Sequence, residues 1–147
     1  QIMKLISAIS EITHDDLVEL FSTALYGCEI FVVDWPNDHP EIFKEGDCIE
    51  DKLARCLLNG QHIIIGDRYS DEVFYGDLPH RWDDKNWCMD YTVKLADIEK
   101  GLNKALNYGG WPQKYVYNLC NADEGDFDYQ LALCLLQFIL FGEEIYG

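Results

Sequence analysis

The chain has 147 residues, of which 27 are Asp or Glu and 11 are Lys or Arg, giving a formal net charge of -16. Hydrophobic residues make up 48% of it, which excludes a disordered acidic tail, and its length fits one domain with a self-sufficient core. The composition argues against direct binding to nucleic acid, because affinity for phosphates requires clustered Lys and Arg. The acidic excess indicates either contact with a basic partner or an adaptation to the habitat of the host.

Two elements are predicted in the first 35 residues. A helix is expected from Thr13 to Gly27, because the Thr13 hydroxyl can cap the first turn and apolar residues recur at helical spacing. Asp15 and Asp16 lie in that first turn, where the positive end of the helix dipole favours carboxylates. The segment Cys28–Trp35 is rich in β-branched and aromatic side chains, which predicts a strand.

A second helix and a second strand are predicted between residues 47 and 67. Asp47 is expected to cap the helix, with Glu50 reaching back from three positions later, and Gly60 is expected to end it. The run Gln61–Asp67 contains three consecutive isoleucines and is too short for a helix, so it predicts a strand buried on both faces. The buried stripe of the helix is expected at Ile49, Leu53, Cys56 and Leu57.

The second half of the chain begins with two predicted strands, Ser70–Tyr75 and Trp87–Leu95, joined by a polar linker. A third helix is expected around Ile98–Leu106, and residues 111–125 are expected to be irregular, with a short strand at Tyr115–Leu119. Apolar residues alternate along the strand that begins at Trp87, and one set is expected on its core face: Trp87, Met89, Tyr91, Val93 and Leu95.

The last predicted helix, from Phe127 to Phe141, is apolar almost all round and is therefore expected to be the central element of the core. The mixed order of elements predicts an α+β fold, a small, mainly antiparallel sheet covered on one face by about four helices. Residues 1–147 are predicted to form a single acidic domain. Met3 is the expected natural start, with Gln1 and Ile2 as an added remnant.

No metal site, cofactor site or catalytic site is predicted. The four histidines form no zinc-binding pattern, and the acidic run Asn121–Asp128 lacks the Gly and Glu positions of a calcium loop. Phosphate-loop, dinucleotide and hydrolase motifs are absent from the sequence, so we expect a protein that is not an enzyme. The six cysteines, including Cys48, Cys56 and Cys134, are expected to be buried, reduced thiols of a cytoplasmic protein without a membrane segment.

The segment Tyr69–Trp87 combines dense acidic residues with aromatic side chains. Trp and Tyr anchor many protein interfaces, and a loop between two strands would present them outward. In the alternative interpretation, Tyr75 and Trp87 are ordinary core residues of their strands and only Trp82 is exposed. The candidate partner-binding residues are Asp71, Glu72, Tyr75, Asp77, Trp82, Asp83 and Asp84.

Both ends of the chain carry patterns that resemble a known group of proteins. Residues 12–27 read ITHDDLVELFSTALYG, and residues 128–147 read DYQLALCLLQFILFGEEIYG. Together they resemble a family of small acidic, uncharacterised proteins from bacteriophages and integrated mobile elements of gut bacteria. The resemblance covers only the two ends and implies no activity. It does imply a mobile-element setting, in which small acidic proteins often block host defence.

The leading hypothesis is a non-enzymatic inhibitor that binds a basic, nucleic-acid-handling host defence protein, with carboxylates in place of the phosphates of DNA. This function requires acids gathered on one face. One alternative is a sponge for a small nucleotide signal, which requires a pocket that is both aromatic and basic; its residues would be Trp82, Trp87, Trp111, Arg68, Arg81 and Lys85. Another alternative is an accessory structural protein of the mobile element, without a specific acidic site.

Overall fold

Helices and strands occur in mixed order along the part of the chain that the computed structural model describes, which is residues 11–24, 29–121 and 128–146. This part forms an α+β fold with one sheet, as predicted. In chain order the elements are α1 (His14–Ala24), β1 (Ile30–Asp34), a 3-10 helix (Pro40–Ile42), α2 (Ile49–Leu58), β2 (Ile63–Asp67), β3 (His80–Asp83), β4 (Cys88–Val93), α3 (Leu95–Tyr108), α4 (Gly110–Cys120) and α5 (Tyr129–Phe141).

The four strands form an antiparallel sheet in the order β1-β2-β4-β3. Ile65 of β2 lies opposite Tyr91 of β4, and Asp83 of β3 lies opposite Cys88 of β4. Side chains that lie directly opposite each other share one face of a sheet, and neighbours along a strand alternate between faces. The register therefore assigns every strand residue to one of two faces.

Helices cover one face of the sheet. Ile63, Ile65, Tyr91 and Val93 point to this helix-covered face and are fully buried. Phe141 of α5 packs edge-on against Tyr91, with 5.6 Å between the ring centroids. The other face, here called the open face, lines a groove that is formed by strand and turn residues.

Helix α5 is the central element of the core, as predicted. All ten residues from Ala132 to Phe141 are buried, including the polar Gln137. The Gln137 Oε1 accepts hydrogen bonds from the backbone N–H groups of Ile145 (2.8 Å) and Tyr146 (2.7 Å). These bonds satisfy the buried amide and tie the C-terminal segment to the helix.

Helix α1 also agrees with the prediction at its beginning. The Asp16 N–H donates to the Thr13 Oγ1 (3.1 Å), and the Thr13 N–H donates to the Asp16 Oδ2 (3.2 Å), which is a reciprocal cap. The predicted ends of this helix and of the Cys28–Trp35 strand fall partly on residues 25–28, outside the described residues. Phe127 and most of the acidic run 121–128 also lie outside them.

The prediction of irregular structure after residue 110 is wrong, because α4 occupies residues 110–120. Gly109 (φ 79°) and Gly110 (φ 55°) adopt left-handed backbone angles and make a sharp turn from α3 into α4. Pro112 lies in the first turn of α4, where its missing N–H costs no helical hydrogen bond. The helix buries Pro112, Val116 and Leu119, at helical rather than strand spacing.

The predicted strand Ser70–Tyr75 is also wrong, and the edge strand is His80–Asp83 instead. The Val73 N–H donates to the Ser70 carbonyl (3.0 Å), and Asp71 has a left-handed φ of 56°, so this segment turns back on itself. Val73 and Phe74 are consequently exposed, at 54% and 51%. Their β-forming character alone was not sufficient to produce a strand.

Three details around the remaining strands and α2 differ from the prediction. Trp87 does not lie on the core face, because it belongs to the turn before β4, with φ 54° and 59% exposure. Leu95 begins α3, and Ile64 of β2 is only half-buried, so β2 is not buried on both faces. Ile49 is 49% exposed, so the buried stripe of α2 does not begin there.

The cap of α2 is formed by Cys48 and Asp51 rather than by Asp47 and Glu50. Both the N–H (3.2 Å) and the thiol (3.1 Å) of Cys48 donate to the Asp51 Oδ2. Cys48 is exposed and Cys120 is half-buried, contrary to the prediction, whereas Cys56, Cys88 and Cys134 are buried, free thiols. Cys28 lies outside the described residues.

Candidate interaction surface

The seven predicted partner-binding residues do not form one surface. Asp71 and Glu72 are exposed in the turn that follows β2, at the start of the segment. Asp77 is exposed farther along and lines a cavity of about 250 Å³ with Lys100 and Lys104 of α3. These three acids are the members of the set that remain available to a partner without a structural bond in the described residues.

Tyr75 anchors its loop to the core. Its backbone N–H donates to the Tyr91 hydroxyl (3.1 Å), and its ring contacts that of Phe141 with 5.7 Å between the centroids. The side chain is half-buried. The core interpretation therefore describes Tyr75 correctly, although the residue is not part of a strand.

Trp82 and Asp83 are neighbours on β3 and point to opposite faces of the sheet. The Trp82 Nε1–H donates to the Asp84 Oδ1 (2.8 Å), and the Trp82 ring meets that of Trp87 edge-on at 5.2 Å. Trp82 is half-buried and Trp87 is exposed, which is the reverse of the predicted alternative.

Asp83 stabilises the turn between β3 and β4. Its carboxylate accepts hydrogen bonds from the Lys85 N–H (3.0 Å), the Asn86 N–H (3.1 Å) and the Asn86 Nδ2 (2.8 Å). The bonds from Asn86 lower the pKa of Asp83, since they favour the ionised form. This carboxylate is therefore fixed in position and negatively charged.

A larger acidic region lies elsewhere, in what we call the acidic half, residues 11–24 and 29–58. Residues 11–24 contain four acids and residues 29–58 contain eight, while the two ranges together contain only three basic residues. Helices α3 and α4 and their flanks, residues 94–121, carry two acids and four bases. Charge is thus strongly segregated along the chain.

Helices α1 and α2 lie next to each other, whereas Asp34 of the same region lines the groove on the open face. His14 of α1 and Asp51 of α2 are joined by a hydrogen bond of 2.9 Å between Nε2 and Oδ1. Bonds from His14 and Cys48 lower the pKa of Asp51. The acids of this half that are most exposed are Glu11, Asp15, Asp34, Asp38, Glu41 and Glu45.

Two of the three basic residues of the acidic half are already engaged within the chain. Arg55 binds Asp47 through Nε (2.7 Å) and Nη2 (3.1 Å), and the Asp47 side chain is only 6% exposed. These bonds lower the pKa of Asp47 to about 2. The Lys52 ammonium lies 5.9 Å from the centre of the Phe43 ring.

The groove on the open face measures about 670 Å³ and has a mixed charge. Arg81 and Lys85 line it together with Asp34, Asp83 and Asp90. The aromatic residues of the nucleotide-sponge hypothesis are not among its lining residues. Trp82 points to the opposite face of β3, and Trp87 contacts Trp82. Trp111 lies on α4, with the Lys114 ammonium 4.9 Å from its ring. This groove therefore does not combine the aromatic and basic residues that the nucleotide-sponge hypothesis requires.

Cys88 and Asp90 lie next to each other beneath this groove, and the sequence reasoning did not select either of them. The Cys88 thiol donates to the Asp90 Oδ1 (3.2 Å), and both residues are buried. Burial raises the pKa of the Cys88 thiol to about 12 and also raises that of Asp90. The available sequence signal was the charged Asp90 in the middle of an otherwise apolar strand.

Comparisons with known proteins identify no relative. None of the helices in the described ranges has the length and apolar character needed to cross a bilayer. No protein-family model matches the chain, and neither the curated proteins nor the solved structures contain a significant match.

Proposed function

We propose that this protein is a non-enzymatic, cytoplasmic inhibitor that binds a basic, nucleic-acid-handling protein of a host defence system. In this proposal the acidic half takes the place of the phosphates of DNA. The observation that supports it is charge segregation: the acidic half holds twelve acids and three bases, whereas residues 94–121 hold two acids and four bases. A merely soluble acidic surface requires no such asymmetry.

The charge density of the acidic half is of the right order for this role. Helix α1 has 11 residues and so spans about 16 Å. Duplex DNA carries one phosphate per ~1.7 Å, so the six most exposed acids of the acidic half correspond to about 10 Å of duplex. The hydrogen bond between His14 and Asp51 shows that α1 and α2 lie side by side within this region.

The acidic half supports the proposal better than the Tyr69–Trp87 segment does. In that segment, Asp83 is committed to its turn and Asp84 accepts the indole N–H of Trp82. In the acidic half, Asp15 and Glu45 are exposed, and among the described residues no side chain donates to either carboxylate. Exposed, unpaired carboxylates are the groups that can meet the cationic side chains of a partner.

Two matched charge reversals test the proposal. One variant changes four residues of the acidic half to Lys (Asp15, Glu19, Glu41 and Glu45), and the other changes four residues of the Tyr69–Trp87 segment (Asp71, Glu72, Asp77 and Asp84). Each variant halves the formal net charge of -16, so a difference between them reports position rather than total charge. A partner captured from host lysate by the wild-type protein is then measured against both variants.

We expect the reversal in the acidic half to weaken binding far more than the reversal in the Tyr69–Trp87 segment. Binding of the wild-type protein should fall steeply as salt rises, because exposed charges are screened over about 8–10 Å. Duplex DNA should compete with the inhibitor for the partner. Binding that is insensitive to salt and to competing DNA would contradict the proposal, and equal losses in both variants would contradict its location.

A further inference from the structure

The hairpin formed by β3 and β4 brings three metal-binding side chains together on the open face. Asp83 and Cys88 lie directly opposite each other across the two strands, and Asp90 follows two residues along β4 on the same face. A ligating atom from each of the three lies within 4.8 Å of the others. Strand register, rather than flexible loop structure, determines this arrangement.

The Asp90 carboxylate lacks the hydrogen bonds that a buried charge requires. It is only 7% exposed and lines the groove, and among the described residues the Cys88 thiol, a weak donor, is its one donor when Asp83 and Asp90 are both ionised. Arg81 lies directly opposite Asp90 across the two strands and opposes the rise of its pKa, but among the described residues it forms no ion pair with Asp90. The carboxyl groups of Asp83 and Asp90 can form a hydrogen bond with each other only when one of them is protonated. Buried carboxylates are normally paired with cations or with several N–H or O–H donors.

The surroundings hold the three side chains in place. Lys85 and Asn86 together donate three hydrogen bonds to the Asp83 carboxylate, which orient it and leave about one of its four lone-pair sites for a metal ion. Gly66 of β2 makes room for Cys88, since a Cβ at Gly66 would lie 2.8 Å from the Cys88 Sγ. The thiol therefore packs directly over the strand, next to both carboxylates.

We propose that Asp83, Cys88 and Asp90 form a binding site for a divalent cation of the zinc type. Cysteine sulfur and carboxylate oxygen are both zinc ligands, and the fourth position of the tetrahedron would open into the groove of about 670 Å³. A tetrahedral zinc ion holds such ligand atoms about 3.3–3.7 Å apart, and the Cys88 Sγ and Asp90 Oδ1 are already 3.2 Å apart. On binding, the thiol proton is released to solvent.

The thiol makes the site selective for metal type. Calcium and magnesium require oxygen ligands, six or more of them for calcium, and gain little from a thiolate. Zinc and cobalt bind thiolate and carboxylate together. A bound ion would link the edge strand β3 to β4 at the end of the hairpin and would neutralise the buried carboxylate. This inference does not depend on the proposed function, since the site lies outside the acidic half.

The experiment titrates Zn²⁺ into metal-free, reduced protein by calorimetry and follows Co²⁺ by its thiolate charge-transfer absorption. We expect one equivalent to bind the wild-type protein and to raise its melting temperature, while Ca²⁺ and Mg²⁺ do neither. Cys88→Ser and Asp90→Asn should each abolish binding and the cobalt absorption. Asn86→Ala should weaken binding about 10–100-fold, because it removes only the group that orients a ligand.

Cys48→Ser is the matched control, because Cys48 also donates its thiol to a carboxylate, at 3.1 Å from the Asp51 Oδ2. It lies outside the groove and should leave zinc binding unchanged. Zinc binding that is undiminished in both Cys88→Ser and Asp90→Asn would overturn the proposal, as would wild-type protein that binds no zinc. If Cys88→Ser fails to fold, Asp90→Asn decides alone, since its side chain has nearly the same shape.

Discussion

On the helix-covered face of the sheet Ile65 is fully buried, whereas its neighbour Ile64 on the open face is only half-buried. The two residues have the same side chain and differ only in the face to which the strand directs them. Complete burial of an isoleucine contributes about 1.5–3 kcal/mol, so the helix-covered face contributes most of the stability of the sheet. The open face, which contributes less, can therefore accommodate polar and ligand-binding groups.

The two buried aspartates of the sheet show the same contrast. Asp67 points to the helix-covered face and accepts hydrogen bonds from the Tyr69 N–H (2.8 Å), the Ser70 hydroxyl (2.8 Å) and the Tyr146 hydroxyl (3.2 Å). Asp90 points to the open face, where its hydrogen-bond partners among the described residues are the Cys88 thiol and the carboxyl group of Asp83. The first carboxylate connects structural elements, whereas the second retains capacity for a ligand.

The largest expected effect comes from placing a charge on each face. Ile65→Asp puts an unpaired carboxylate into the core and should cost about 3–5 kcal/mol of unfolding free energy, enough to unfold a marginally stable domain. Ile64→Asp should cost much less, because its side chain reaches the solvent of the groove. Urea denaturation of both variants measures the difference. Equal losses would show that the open face is covered in solution.

A smaller effect is expected from adding a methyl group at two glycines. At Gly101 of α3 a Cβ would lie 2.4 Å from the Ile139 Cα of α5, so a backbone has to move. At Gly66 the closest atoms belong to the side chains of Cys88 and Val33, both at 2.8 Å, and these can adjust. We expect Gly101→Ala to cost more than the about 1–3 kcal/mol of ordinary overpacking, and Gly66→Ala to cost about that amount. Thermal unfolding of the two variants would contradict this order if Gly66→Ala were the less stable.

The smallest expected effect is the difference in stability between Asp67→Asn and Asp90→Asn, measured in metal-free protein. Asp67→Asn should cost about 1–3 kcal/mol near neutral pH, because an amide cannot accept all of the hydrogen bonds that the carboxylate accepts. Asp90→Asn should cost less or stabilise the fold, since it removes a buried charge with one weak donor. Urea denaturation at pH 7 tests this ranking, and a greater loss in Asp90→Asn would contradict it.

The pH dependence of the Asp67 variant follows from the same burial, which raises the pKa of Asp67. A raised pKa means that the folded protein keeps this proton to higher pH than the unfolded chain does. The contribution of Asp67 to stability is therefore complete below about pH 4 and is lost as the pH rises through the folded pKa. The wild-type protein should thus exceed Asp67→Asn in stability by more at pH 3 than at pH 7.

The elements that were predicted correctly can be recognised from their own residues alone. Helix α5 is apolar on every side, and Thr13 with Asp16 forms a local cap, so neither needs a distant partner to be recognised. The alternating pattern of β4 likewise predicted Tyr91 and Val93 as core residues. Hydrophobic period and capping chemistry are local properties, and they were sufficient for the α+β fold class.

The failures occurred where local propensity was overruled by contacts from elsewhere in the chain. Residues 73–75 have strand-forming side chains, yet the bond between Ser70 and Asp67 turns this segment away, and the polar stretch His80–Asp83 pairs with β4 in its place. Gly109 and Gly110 suggested a loop. Residues Pro112, Val116 and Leu119 instead form the buried stripe of helix α4. Burial against a distant surface cannot be evaluated from a sequence window.

The amino-acid sequence by itself determined the fold class, the central helix and the acidic excess, because composition and periodicity are properties of the chain. Only the tertiary structure decided which carboxylates share a surface. The packing of α1 on α2 brings Asp51 next to α1, and the register of β3 with β4 sets Asp83 beside Cys88 and Asp90. Both arrangements bring together residues of different helices or strands. The distances between these residues are fixed by packing and by backbone hydrogen bonds between strands.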